Sequence, residues 1–183
     1  LDLQVFGDVR DKEKIRRYIQ KADYIIHLAA ISNDPMGLEF EKVTKEVNTE
    51  SSIFIAEESI KSNSKAFVFA SSCSVYGDGS DYPRSEKDEL KPLTAYAKSK
   101  IETELYLRKI NNYKKTKITS LRFSTACGFS PNLRLDLVLN DFVANALNNN
   151  EIEILSDGSP FRPLIDVEDM ARSIFWACHR NQG

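Results

Sequence analysis

Glycine is scarce in this chain: only seven of 183 residues are glycine, and they do not cluster. A Gly-x-x-Gly-x-x-Gly turn, which lets a helix N-terminus approach a pyrophosphate, is therefore absent from the sequence. Histidine is scarcer still, and neither His27 nor His179 has a further cysteine or histidine at ligand spacing, so no metal site is expected. The three cysteines, Cys73, Cys127 and Cys178, are odd in number and widely spaced, and read as reduced thiols. No apolar run reaches the roughly 20 residues of a bilayer span, and the first residues do not read as a signal peptide. Lys and Arg number 25 against 27 Asp and Glu, for a net charge of -2 without long runs of either sign. That balance gives no electrostatic reason to expect nucleic acid or an anionic membrane as partner. The small basic cluster Lys114, Lys115 and Lys117 reads as a solvated connection. The expectation is a soluble, cytoplasmic protein.

Hydrophobic residues make up 42% of the chain, enough for a sizeable core at this length. Val5 and Phe6 are expected to end a short strand, with Asp11 as N-cap of a following helix. Tyr24-Ile25-Ile26-His27-Leu28 and Ala66-Phe67-Val68-Phe69-Ala70 are continuous apolar runs of the kind buried in parallel sheets. Residues 41–61 read as a helix, 94–111 as another, and 118–123 as the next strand. Further on, residues 135–147 and 167–178 read as helices, 151–155 as a short strand and 156–160 as a turn. Strands alternating with helices predict an α/β fold with a doubly wound parallel sheet.

The most informative residues follow the second apolar run. Ser71-Ser72-Cys73-Ser74-Val75-Tyr76-Gly77 closes a predicted strand, and Tyr96-Ala97-Lys98-Ser99-Lys100 opens a predicted helix. Residues four apart share a helix face, so the Lys100 ammonium can sit beneath the Tyr96 hydroxyl. A nearby cation favours phenolate, which lowers the pKa of a group that otherwise titrates near ~10. Ser72, delivered by the strand, can donate a hydrogen bond to an oxygen whose proton Tyr96 handles. Cys73 has no histidine base near it in sequence and reads as a packing residue rather than a nucleophile.

The Ser-x-x-Val-Tyr-Gly run, the Tyr-x-x-x-Lys pair and His27-Leu28-Ala29-Ala30 together resemble the extended short-chain dehydrogenase/reductase family, the NAD-dependent nucleotide-sugar epimerases and dehydratases. The likeness runs from about Asp8 to Asp169. It implies a Rossmann-like domain over residues 1–130, lacking its glycine-rich turn and first strands, and then the start of a substrate-binding lobe with a return to the core over 131–183. It also implies Ser72, Tyr96 and Lys100 as catalytic residues. NAD, with NADP as the alternative, would contact Asp8, Val9, Leu28, Ala29, Ala30, Asn48, Tyr96, Lys100, Phe123 and Ser124. A nucleotide-diphosphate sugar would contact Ser32, Ser72, Cys73, Ser74, Thr125, Asn140 and Arg162, the last through the planar fork that suits phosphate.

From the residues alone, Asp8 reads equally well as a helix-start residue and Phe123 as core, while a surface residue is the lesser alternative for Asn48 and a surface ion pair with Asp166 or Glu168 the lesser one for Arg162. Mid-helix asparagine is intrinsically unfavourable, which points to a specific task for Asn48. Dehydratases of the resembling family follow the catalytic hydroxyl with Asp-Glu, and here those positions are Cys73 and Ser74. The expected activity is therefore epimerisation by transient hydride transfer. A keto-sugar or carbonyl reductase is the enzymatic alternative, and a non-catalytic dinucleotide-binding relic or fragment the alternative of another class. A homodimer through the helices holding Asn48 and Tyr96 is implied by resemblance.

Overall fold

A computed structural model describes residues 3–32, 40–77, 82–111, 115–154, 156–158 and 161–180. Leu155, the last residue of the expected strand 151–155, and two residues of the expected turn 156–160 lie outside that set. Helix α1 (Lys12–Ile19) begins at Asp11, whose carboxylate accepts from the Lys14 amide, as expected of this N-cap. Strand β1 (Tyr24–His27) follows, then helix α2 (Glu41–Lys45), a π-helical turn (Glu46–Glu50) and helix α3 (Ser51–Lys61). Strand β2 (Ala66–Ser72) runs into a 3-10 turn (Cys73–Tyr76), and helix α4 (Ala95–Ile110) leads to strand β3 (Lys117–Phe123). Short strand β4 (Thr125–Cys127), helix α5 (Val138–Asn149), strand β5 (Leu164–Asp166) and helix α6 (Val167–His179) complete the order.

Strands β1, β2 and β3 form one sheet in that order, all parallel, with His27 beside Phe69 and Ser72 beside Phe123. Strands β4 and β5 pair in parallel as a second, two-stranded sheet. Parallel neighbours need a crossover, and the helices between them supply it. Alternation along β2 separates two cores. Phe67 and Phe69 face Ile19, Ile55, Leu107 and Ile118 on the side of α1, α3 and α4. Val68 faces Ala177 and Cys178 of α6, with Leu121 beside them. Each of the two fully buried phenylalanines contributes on the order of 1.5–3 kcal/mol by leaving water.

Two expected strands do not form. Residues 3–6 are exposed and pair with no strand among the described residues. The alternating stretch 151–154 is exposed throughout and likewise has no sheet to join. Alternation alone cannot make a strand; its backbone groups need a partner. The helix expected over 135–147 instead begins at Val138 and ends at Asn149. Among the described residues, no helix is long and apolar enough to cross a membrane.

Candidate active site at the carboxyl ends of the strands

The carboxyl ends of β1, β2 and β3 bring together the loop 28–32, Ser72 and Ser124, at the end of a parallel sheet where ligands bind in open α/β folds. Behind this end stands α4. Thr94 caps it through the Ala97 amide, and Arg108 and Lys109 in its last turn complement the helix dipole. Its first turns carry Tyr96, half-buried, and Lys100, 2% exposed. The Lys100 ammonium donates to the Ala70 carbonyl at 2.6 Å and lies 5.3 Å from the centroid of the Tyr96 ring and 4.7 Å from that of Phe69. Tyr96 and Lys100 therefore meet on one face, as their spacing predicts. Burial pushes the lysine down to about 8, and the Glu104 carboxylate opposes that shift.

Ser72 sits at the junction of β2 and the 3-10 turn. Its oxygen accepts from the Ser74 amide at 3.2 Å and from the Ser74 hydroxyl at 2.9 Å, which caps the turn. Gly77 ends the turn with φ of +77°, and a Cβ there would stand 2.1 Å from the Lys91 carbonyl oxygen. The half-buried Cys73 thiol is pushed up mainly by burial, which disfavours the thiolate.

The π-helical turn explains Asn48. Such insertions into a helix recur at functional sites, and this one turns a 1%-exposed asparagine toward the loop after β1. Its Oδ1 accepts from the Ile31 amide at 2.8 Å, and its Nδ2 donates to the Ile31 carbonyl at 2.9 Å and to Ser99 Oγ at 3.2 Å. Asn48 is thus a buried clamp between that loop and α4, not a surface residue. His27, at the end of β1, shares a 2.8 Å hydrogen bond with Ser52 and stacks near the rings of Phe67 and Phe69 on the adjoining strand. Burial, reinforced by the Lys100 charge, pushes it down to about 4.

Other anticipated residues are placed as follows. Leu28 and Ala29 are exposed on the loop that Asn48 holds, and Ala30 is half-buried. Phe123 is buried at the end of β3 beside Ser72, with Ser124 and Thr125 following it. Asn140 donates to the Arg134 carbonyl at 3.0 Å. Arg162 is exposed and its charge reaches Cys73. The ion-pair alternative for Arg162 finds its partners engaged elsewhere: Asp166 caps α6, and Glu168 pairs with Arg172. Asp8, with Val9 half-buried after it, is bound by the Arg10 amide, Nε and Nη2, which hold its carboxyl down to about 2. Arg134 was not anticipated from the sequence. It pairs with Asp136 at 2.5 Å, donates to Ser32 Oγ at 3.2 Å, and interacts electrostatically with Tyr96. Its sequence signal was faint, an arginine in a Pro-bounded loop.

The sequence and fold match a known group of proteins. The model of the NAD dependent epimerase/dehydratase family matches residues 4–183. The chain belongs to that family. It is 31% identical over 162 residues to a probable UDP-glucuronate 4-epimerase of Rhizobium meliloti, an alignment covering 88% of this chain and 47% of that protein. Among solved structures, the UDP-N-acetylglucosamine 4-epimerase of Methanobrevibacter ruminantium, in complex with UDP-N-acetylmuramic acid, superposes with a TM-score of 0.87 at 24% identity, covering 98% of this chain and 58% of that one. The UDP-glucose 4-epimerase of Thermotoga maritima with UDP-glucose gives 0.84 at 26% identity, covering 96% and 58%. The chain spans about half the length of the curated relatives it matches.

The family is NAD-dependent. The residues that would hold one end of that cofactor suit it chemically: Asn48 ties the small-residue loop after β1 to α4, and α4 carries a hydroxyl donor, Tyr96, beside an ammonium, Lys100. The glycine-rich turn that would hold a pyrophosphate has no counterpart among the chain's residues.

Proposed function

We propose that this protein is a nucleotide-sugar epimerase in which Tyr96 is the acid/base, Lys100 tunes it and Ser72 orients the reacting oxygen. NAD, held by the loop 28–31 and Lys100, would supply reversible hydride acceptance at the sugar carbon, the chemistry that inverting that centre requires. Tyr96 takes the proton of that carbon's hydroxyl and later gives it back. The Lys100 ammonium favours the phenolate, because a positive charge stabilises the charged form of its neighbour. Ser72 donates to the same oxygen, and loop 28–31 and Lys100 hold the ribose.

The observation that carries this reading is the seat of Lys100: a 2%-exposed ammonium anchored to Ala70 and set 5.3 Å from the Tyr96 ring. A solvated lysine on a helix face would not be buried at such cost. Two arginines add to it, Arg134 near Tyr96 and Arg162 near Cys73, which suit the diphosphate of a nucleotide sugar. Water elimination is disfavoured, since Cys73 and Ser74 supply no acid and base where dehydratases carry Asp-Glu.

The test pairs NAD calorimetry with turnover of UDP-sugars by the protein and its Tyr96→Phe variant. NAD binding, and turnover lost by at least 100-fold in the variant, is the expected result. Turnover preserved in Tyr96→Phe refutes the assignment, and net consumption of NADPH without epimerisation replaces it with a reductase.

A further inference from the structure

Glu104 lies one helical turn beyond Lys100 on α4 and is 4% exposed. Its carboxylate accepts from Ser71 Oγ at 2.5 Å, from Arg122 Nε at 3.0 Å and 3.2 Å, and from Arg122 Nη2 at 2.6 Å. Arg122 donates onward from Nη1 to the Tyr76 hydroxyl at 2.8 Å. The two charged side chains are 9% and 4% exposed. One buried carboxylate therefore ties the helix of Tyr96 and Lys100 to the residue before Ser72 on β2 and to the residue before Phe123 on β3. Through Arg122 it also reaches the 3-10 turn. A buried pair of this kind gives little net stability over well-packed apolar side chains, so its place at the junction of α4, β2 and β3 calls for another role.

We propose that Glu104 is a positioning residue for the Tyr96–Lys100 pair: it is the counter-charge that keeps the buried Lys100 ammonium protonated, and it holds the ends of β2 and β3 against α4. This rests on the reading of Tyr96 and Lys100 given above. Lys100 is faced from β1 by His27, from β2 by the Ala70 carbonyl and the Phe69 ring, and from its own helix by Tyr96 and Glu104. From β3, Arg122 pairs bidentately with Glu104, so each of these two charges offsets part of the other's field at Lys100, the carboxylate being on the same helix face one turn away. Glu104 is the carboxylate that acts to raise Lys100, while burial lowers it.

The experiment follows the Lys100 side chain by carbon NMR of lysine-labelled protein across pH, with the resonance assigned by Lys100→Arg. In Glu104→Gln the titration midpoint should fall by about one pH unit, and Glu104→Asp should recover part of the shift. Because Glu104→Gln also leaves Arg122 unpaired, Glu104→Gln/Arg122→Met, which buries no unpaired arginine, is titrated beside it, or in its place should the single variant fail to fold, with a fall of at least about half a unit expected. A midpoint unmoved in a variant that still melts cooperatively overturns the proposal. The readout needs neither NAD nor sugar, so it fails or succeeds independently of whether Tyr96→Phe retains turnover.

Discussion

Replacing Asn48 by alanine tests the link between the π-helical turn and the cofactor loop. The substitution removes the acceptor of the Ile31 amide and the donor to the Ile31 carbonyl and Ser99 Oγ. Each bond contributes about 1 kcal/mol net, and each buried group left unmatched costs about 1–3 kcal/mol. Ile31 is half-buried, so water can reach part of what is lost. Ser99 keeps its 2.7 Å bond to the Tyr96 carbonyl. The expected loss is about 3 kcal/mol in urea unfolding, with hydrogen exchange at the Ile31 amide at least tenfold faster. Asn48→Asp retains the acceptor alone and should restore Ile31 amide protection without restoring the stability. A loss below about 0.5 kcal/mol with unchanged exchange at Ile31 would refute the clamp, since that is the range of a surface substitution.

Other outcomes follow from neighbouring features. His27 is buried neutral and held down to about 4. Its folded pKa lies below the unfolded value near 6.5, so its contribution is complete above pH 6.5 and is lost as pH falls toward 4, by about 3 kcal/mol. Urea midpoints between pH 7 and 4 should show this slope, and a His27→Gln variant should flatten it. Gly77→Ala forces a strained φ, costing roughly 1–3 kcal/mol, and drives a Cβ into the Lys91 carbonyl; thermal unfolding at least several degrees lower is expected, and an unchanged melt would contradict it. Among the described residues, Thr44 Oγ1 is buried without a hydrogen-bond partner. Thr44→Val should therefore stabilise by about 1 kcal/mol, and a destabilised variant would reveal a partner for that hydroxyl.

Local chemistry carried much of this protein in its linear order. The strand at 66–70, the Asp11 cap and the helix opening at Thr94 depend on neighbours within a few residues, and the structure has each; the run 24–28 forms a strand over Tyr24–His27, yet it pairs only with β2 among the described residues, and Tyr24, Ile26 and Leu28 are exposed rather than buried. The meeting of Tyr96 and Lys100 was likewise set by helix periodicity, since any α-helix places residues four apart on one face. Expectations that needed a distant partner failed: residues 3–6 and 151–154 have strand-like patterns, but no neighbouring strand among the described residues turns them into sheet. Strands β4 and β5 escaped notice for the converse reason, being three residues each and defined only by pairing across a long stretch of chain.

What tertiary structure alone decided is where buried polarity finds its partners. Asn48 reaches Ile31 17 positions away in sequence and Ser99 51 away, and nothing in its flanking residues encodes either. Glu104 and Arg122 look like ordinary solvated charges on a helix and a strand, yet they close on each other because parallel pairing of β2 with β3 brings Arg122 beside Ser71 under the helix. A residue's own type sets its local conformational preference, whereas the partner that satisfies a charge or amide removed from water is chosen only when separate segments pack.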